Sequence, residues 1–184
     1  MTLKTKKILA IVLLSLCIAG FAITTTTAFL ISRAGPVENV FTIGNIRLSL
    51  TETTGESYQL IPGKVVDKNP TVTVHGGSED CWLFVKVTKS KDFDDYIEYE
   101  IADGWTHLGG YEGVYYRSII RSASGDVFSI LKDDRMSVVD TLTEEKMTAI
   151  TTLPKITFKA YAVQSHSIDT ASEAWVEILK EGIE

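Results

Sequence analysis

From residue 40 onward the chain is a series of short runs that repeat every second residue, each closed by a turn-forming glycine, proline or aspartate. That rhythm constrains the fold more than any other feature, because period two puts alternate side chains on opposite faces of an extended strand, whereas a helix needs apolar residues three and four apart. Within residues 40–50, Val40, Thr42, Gly44, Ile46, Leu48 and Leu50 share one face, which predicts one long strand. Residues 53–56 supply a turn, and Tyr58, Leu60 and Ile61 lead into the turn pair Pro62-Gly63. Residues 71–75 and 81–88 read as a hairpin across the loop 76–80, and the second run carries Trp82 and Phe84 on one side with Cys81, Leu83, Val85 and Val87 on the other. Apolar residues on both sides are the mark of a strand covered on both faces.

The same punctuation continues. Asp103-Gly104 is a hairpin signal between 96–101 and 105–108. Gly109-Gly110, Ser124-Gly125-Asp126 and Asp133-Asp134 separate runs at 114–120, 127–131 and 136–139. In residues 155–164, Ile156, Phe158, Ala160 and Ala162 alternate with Thr157, Lys159, Tyr161 and Val163, another strand. Turn signals at this spacing predict an all-β sandwich or barrel. Two short helices interrupt it. Thr141 and Glu144 have the spacing of a capping box for a helix running through Met147 to Ile150. Thr170 and Glu173 repeat the signal, and Ala171, Ala174, Trp175, Ile178 and Leu179 then form one apolar stripe that ends near Gly182.

The first thirty residues have another character. Lys4, Lys6 and Lys7 precede an uncharged apolar run at 8–23, the layout of a secretory signal. At ~1.5 Å per residue that run reaches about 24 Å, short of the roughly 30 Å hydrocarbon core of a bilayer. The longer segment 8–31 has the length of a transmembrane helix, and would anchor the chain wherever the leader is retained. Small residues Thr25, Thr26 and Thr27 before Ala28 suit a signal-peptidase cut between Thr27 and Ala28. The expected organisation is therefore a signal at 1–27, a flexible N-terminal segment at 28–39 and one β-sandwich domain at 40–184. Cys17 lies in the leader, so Cys81 has no disulfide partner after processing. Without the three leader lysines, the remaining basic residues face 24 acidic ones. The net charge of about −9 argues against nucleic-acid or anionic-lipid partners and leaves the N-terminal segment as the only membrane contact.

Signals for chemistry are sparse. His75, His107 and His166 stand apart, with no second histidine at metal-ligand spacing. No Gly-x-Ser-x-Gly elbow or phosphate-cradling glycine loop occurs. Asp92, Asp94 and Asp95, or Glu79 and Asp80, lack the spacing of a calcium loop and read as solvated turns. Tyr96, Tyr99, Trp105, Tyr111, Tyr115 and Tyr116 offer either a carbohydrate platform or sheet packing, and packing is the simpler reading. No catalytic, metal or cofactor site is expected, and a non-enzymatic role follows.

Several segments together carry a family resemblance: Ala28-Phe29 after the apolar run, Asn39-Val40-Phe41-Thr42-Ile43-Gly44-Asn45-Ile46 with Leu48-Ser49-Leu50-Thr51-Glu52, Ile61-Pro62-Gly63 with Asn69-Pro70-Thr71-Val72, residues 80–87, and Ala160-Tyr161-Ala162-Val163-Gln164. In these the chain resembles the SipW-cognate signal-bearing proteins of Gram-positive bacteria, the TasA/camelysin-like family. The resemblance implies a jelly-roll-like sandwich, cleavage between Thr27 and Ala28 by a dedicated signal peptidase, and export to the cell surface or biofilm matrix. It also implies self-association, or association with other matrix or surface proteins, in which Ala28, Phe29, Leu30 and Ile31 add as a strand to the next subunit. The sequence departs from the family at Leu30-Ile31-Ser32, where polar or acidic residues are usual. Camelysin-like relatives are described as metallopeptidases, but no zinc motif carries that activity here. The alternatives are a membrane-anchored surface binding module that keeps its leader and a camelysin-like metallopeptidase. Mass spectrometry of the exported protein's N-terminus distinguishes the anchored module from release: a start at Ala28 is expected, and a start at Met1 means anchoring.

Overall fold

The computed structural model of the 184-residue chain describes residues 29–31, 40–54 and 58–182. Thirteen strands are present among them: β1 (Phe29–Ile31), β2 (Val40–Ile43), β3 (Leu48–Thr51), β4 (Tyr58–Leu60), β5 (Val65–Asp67), β6 (Thr71–His75), β7 (Cys81–Lys89), β8 (Ile97–Glu98), β9 (Thr106–His107), β10 (Val114–Ile119), β11 (Gly125–Ser129), β12 (Arg135–Val138) and β13 (Ile156–Gln164). Helix α1 (Glu144–Thr148) and helix α2 (Ala171–Lys180) complete the set, with short 3-10 turns at Phe93–Asp95 and Lys132–Asp134. The fold is thus mostly β, sandwich-like, with two short helices.

One layer is a five-stranded sheet in the order β2-β13-β7-β10-β9. The facing layer consists of two three-stranded sheets, β11-β6-β3 and β5-β12-β8. They are joined where Lys132 N–H donates to Glu100 O and Ala102 N–H to Ile130 O, each at 2.9 Å, around the bridge Ile101–Leu131. Between the layers lies the main core, to which β7 contributes Cys81, Leu83, Val85 and Val87 and β13 contributes Ile156, Phe158, Ala160 and Ala162. Leu50, Val72, Val74, Ile97, Met136 and Val138 meet them from the opposite layer. The expected alternation in residues 155–164 is realised side chain by side chain.

The opposite face of the five-stranded sheet is covered as well. Phe84, Tyr161 and Val163 point there, against Ala171, Ala174, Trp175 and Ile178 of α2. Trp175 is the hub: its ring centroid lies 5.2 Å from those of Phe84 and Tyr161 and 6.2 Å from that of Tyr111. The start of α2 is held by a capping box, with Thr170 Oγ1 accepting from Glu173 N–H while the Glu173 carboxylate accepts from Thr170 N–H. Trp82 Nε1–H donates to Ile168 O at 3.0 Å and ties the approach to the helix onto β7.

Several local expectations are corrected. The single strand over 40–50 is two strands in different layers, because Gly44 adopts φ +99° and turns the chain from β2 to β3. A side chain there would meet Gln164 Cβ at 2.9 Å, so only glycine fits both the turn and the neighbour. The runs 71–75 and 81–88 are not a hairpin: β6 pairs with β3 and β11, while β7 pairs with β13 and β10. Both strands bury an apolar face against the other layer, so the loop between them arches across the core. Buried Ser78 supports that arch, accepting from Arg47 N–H at 3.0 Å and donating to His75 O at 2.6 Å. Asp103-Gly104 likewise separates β8 from β9 in different sheets, and β9 pairs with β10 instead. Finally, α1 is capped by Thr143, which accepts from Lys146 N–H, and not by Thr141. Leu142 is buried, so the helix begins only after that side chain has reached the core.

Replacing Trp175 with Ala removes the contact that closes the second core and is expected to cost about 3–5 kcal/mol. Thr170→Ala is expected to cost about 0.5–2 kcal/mol through loss of the cap. Urea unfolding with an unchanged slope checks both.

Candidate functional site

The signal-cleavage pair Thr27 and Ala28 lies outside the described residues, as does the apolar run 8–23. Of the expected assembly strand, Ala28 is also outside, while Phe29, Leu30 and Ile31 form β1. This strand pairs antiparallel with β4 in the register Phe29–Leu60, Leu30–Gln59 and Ile31–Tyr58. The pair is a two-stranded sheet that shares no strand with the two layers. Leu60 is buried in the main core and Gln59 is exposed, so Leu60 fastens β4 to the domain. Among the described residues, no helix is long and apolar enough to cross a membrane.

The other candidates are dispersed by the fold. His75 Nε2 lies 3.0 Å from Ser49 Oγ, and the His107 ring packs edge-on against Tyr115. Asp94 pairs with Lys89 at 2.6 Å, and Asp80 Oδ1 accepts from Arg121 N–H at 2.6 Å. Among the described residues, no group of three metal-ligating side chains converges. The aromatic residues do not make one platform. Tyr96, Tyr99, Trp105 and Tyr115 pack on the main core, whereas Tyr111 and Tyr116 pack on the second core, across the five-stranded sheet. Trp105 instead closes an edge of the sandwich, where the Arg117 guanidinium lies 4.5 Å from its ring and 4.2 Å from that of Phe128. Burial holds the Arg117 pKa below its ordinary value, and the two ring faces supply part of the lost solvation.

Two open clefts meet at the segment 98–100. One, of about 470 Å³, runs along β12 and is lined by Val65, Tyr99, Arg135 and Ser137. The other, of about 570 Å³, reaches Lys89 and Tyr115. Ion pairs run along their walls: Lys132 pairs with Glu100 at 2.5 Å, Arg135 with Asp133 at 3.1 Å, and Lys89 with Asp94. Hydrogen bonds within the first and last of these pairs lower the Glu100 pKa and raise the Lys89 pKa. Glu98 lines both clefts as well, so each wall carries a net negative charge.

Sequence reasoning did not supply the partner that β1 meets within the chain. Tyr58 and Leu60 alternate correctly for a strand, yet nothing in three residues says which other strand they meet. It also missed the buried pair Lys68–Glu52, because neither residue type signals burial in a sequence. The class defined by these features is an all-β, sandwich-like protein with an appended N-terminal strand. Compared with family models, curated proteins and solved structures, the chain matches none.

Cys81 is fully buried, and burial with the neighbouring Asp80 charge pushes its thiol up to about 12. The folded protein should therefore resist iodoacetamide, with alkylation only after unfolding. The unfolded thiol ionises near 9.0, so above that pH unfolding releases a proton. The stability present below pH 9.0 is expected to fall as pH rises toward about 12, and Cys81→Ala should flatten that decline.

Proposed function

We propose that this chain is an exported structural protein of the cell surface or biofilm matrix, related to the TasA/camelysin-like family and built on a jelly-roll-like sandwich. In this reading it assembles into fibres by N-terminal strand addition. The observation that carries the proposal is the pairing of β1 with β4 apart from the sheets of the domain. Backbone hydrogen bonds along β4 do not distinguish a strand of the same chain from one supplied by a neighbour. The connection at 32–39, which contains Gly35-Pro36, sets the choice.

When β1 folds back on its own β4, the subunit is closed. When it reaches the β4 of another copy, it makes the same hydrogen bonds and leaves its own β4 to a third, a head-to-tail contact that grows into a filament. A tethered strand competes at an effective concentration of about millimolar, so exchange is favoured where the protein is crowded. Export by signal peptidase, with cleavage between Thr27 and Ala28, would release β1 from the leader.

Deleting residues 28–32 is expected to leave a folded, monomeric domain with an unchanged circular-dichroism spectrum and to abolish filaments seen by electron microscopy at high concentration. Filaments of normal abundance from the truncated protein would falsify strand exchange.

A further inference from the structure

Among the described residues, Lys68 is the one charged residue that is buried, at 3 % exposure. Its ammonium pairs with Glu52 Oε1, and the two side chains are 4 % and 8 % exposed. The surrounding bonds hold together the two segments that carry the partners. Thr54 Oγ1–H donates to Glu52 Oε1 at 3.3 Å and accepts from Asn69 N–H at 3.2 Å. Asn69 Oδ1 accepts from Thr53 N–H at 2.9 Å, and Asn69 Nδ2–H donates to Thr53 Oγ1 at 2.8 Å. The segments 52–54 and 68–69 are thus laced together on either side of the pair.

A primary amine and a carboxyl group held in contact away from water are the reactants of an amide bond. In bulk water condensation fails, because both groups are solvated ions and water is in excess. Here both reasons weaken. Burial strips bulk water from both side chains, which are 4 % and 8 % exposed. Fixed contact replaces a bimolecular encounter with an effective molarity that in well-oriented systems reaches about 10⁵–10⁸ M.

We propose that Lys68 and Glu52 condense after folding into an intramolecular amide cross-link. The ammonium passes one proton to the carboxylate, and the neutral Nζ attacks Glu52 Cδ to form the new N–C bond. The Cδ–Oε2 bond then breaks. Oε2 leaves as water carrying the two protons lost by Nζ, and no oxidant or co-reactant is consumed. Thr54 Oγ1–H, bonded to Oε1, stabilises the charge that gathers on that oxygen during attack. The product ties the end of β3 to the chain just after β5, joining the two three-stranded sheets of one layer covalently. It constrains the unfolded chain as a disulfide does, in a protein whose Cys81 has no partner beyond the leader. This inference stands apart from the assembly reading, since it needs only the folded domain.

Intact-mass spectrometry of the purified, folded protein tests it. The expected mass is one water below the sum of the residues, and trypsin should leave peptides 48–64 and 65–86 joined through an uncut Lys68. Lys68→Arg and Glu52→Ala should each restore the full mass, and protein held in urea before folding should show no loss. Full mass in the wild type, with peptides ending at Lys68 recovered free, overturns the proposal. A water loss that persists in Lys68→Arg also overturns it, because the dehydration then lies at another residue. Should either variant fail to fold, the wild-type peptide map decides alone.

Discussion

The structure depends on the pairing of β7 with β13, nine residues against nine, from Cys81 opposite Gln164 to Lys89 opposite Ile156. Both strands are apolar on two faces, so neither can lie at a surface. One face needs a second layer of strands and the other needs a helix. The main core and the α2 core are therefore consequences of one ladder: Leu83 beside Ala162 and Val85 beside Ala160 look toward the facing sheets, while Phe84 beside Tyr161 looks toward Trp175. Burial of apolar area on this scale is what offsets the entropy of ordering so many short strands.

That arrangement also explains why conventional sites are sparse. Catalytic groups need a concave, partly dry cleft with convergent polar side chains. Here the aromatic residues are divided between two sides of a sheet. What the molecule presents instead is backbone: a short β1–β4 pair beside a domain whose own sheets are complete without it. That pair is set by its backbone register: Phe29–Leu60, Leu30–Gln59 and Ile31–Tyr58.

The buried Lys68–Glu52 pair belongs to a different layer of the design. An ion pair in such a place is weak evidence for stability, because desolvation offsets much of the attraction. Its position between the ends of β3 and β5 gives it a structural role in either chemical form. As an ion pair it orders the junction, and as an amide it would make the junction permanent.

Period-two runs and turn residues determined that the chain forms strands, and the two-sided run at 81–88 marked one of them as covered on both faces. The stripe on α2 and its cap at Thr170 were equally legible, because each depends on residues within one or two turns of one another. Only the tertiary structure decided which strands pair. A turn signal such as Asp103-Gly104 states that the chain reverses, but not whether the reversal stays within a sheet or crosses to the next. That choice is made by apolar faces far apart in sequence, which is why β6 arches over the core to β7 and why β1 meets β4. The same holds for Lys68 and Glu52: their contact follows from where two strands end, a fact that no local pattern encodes.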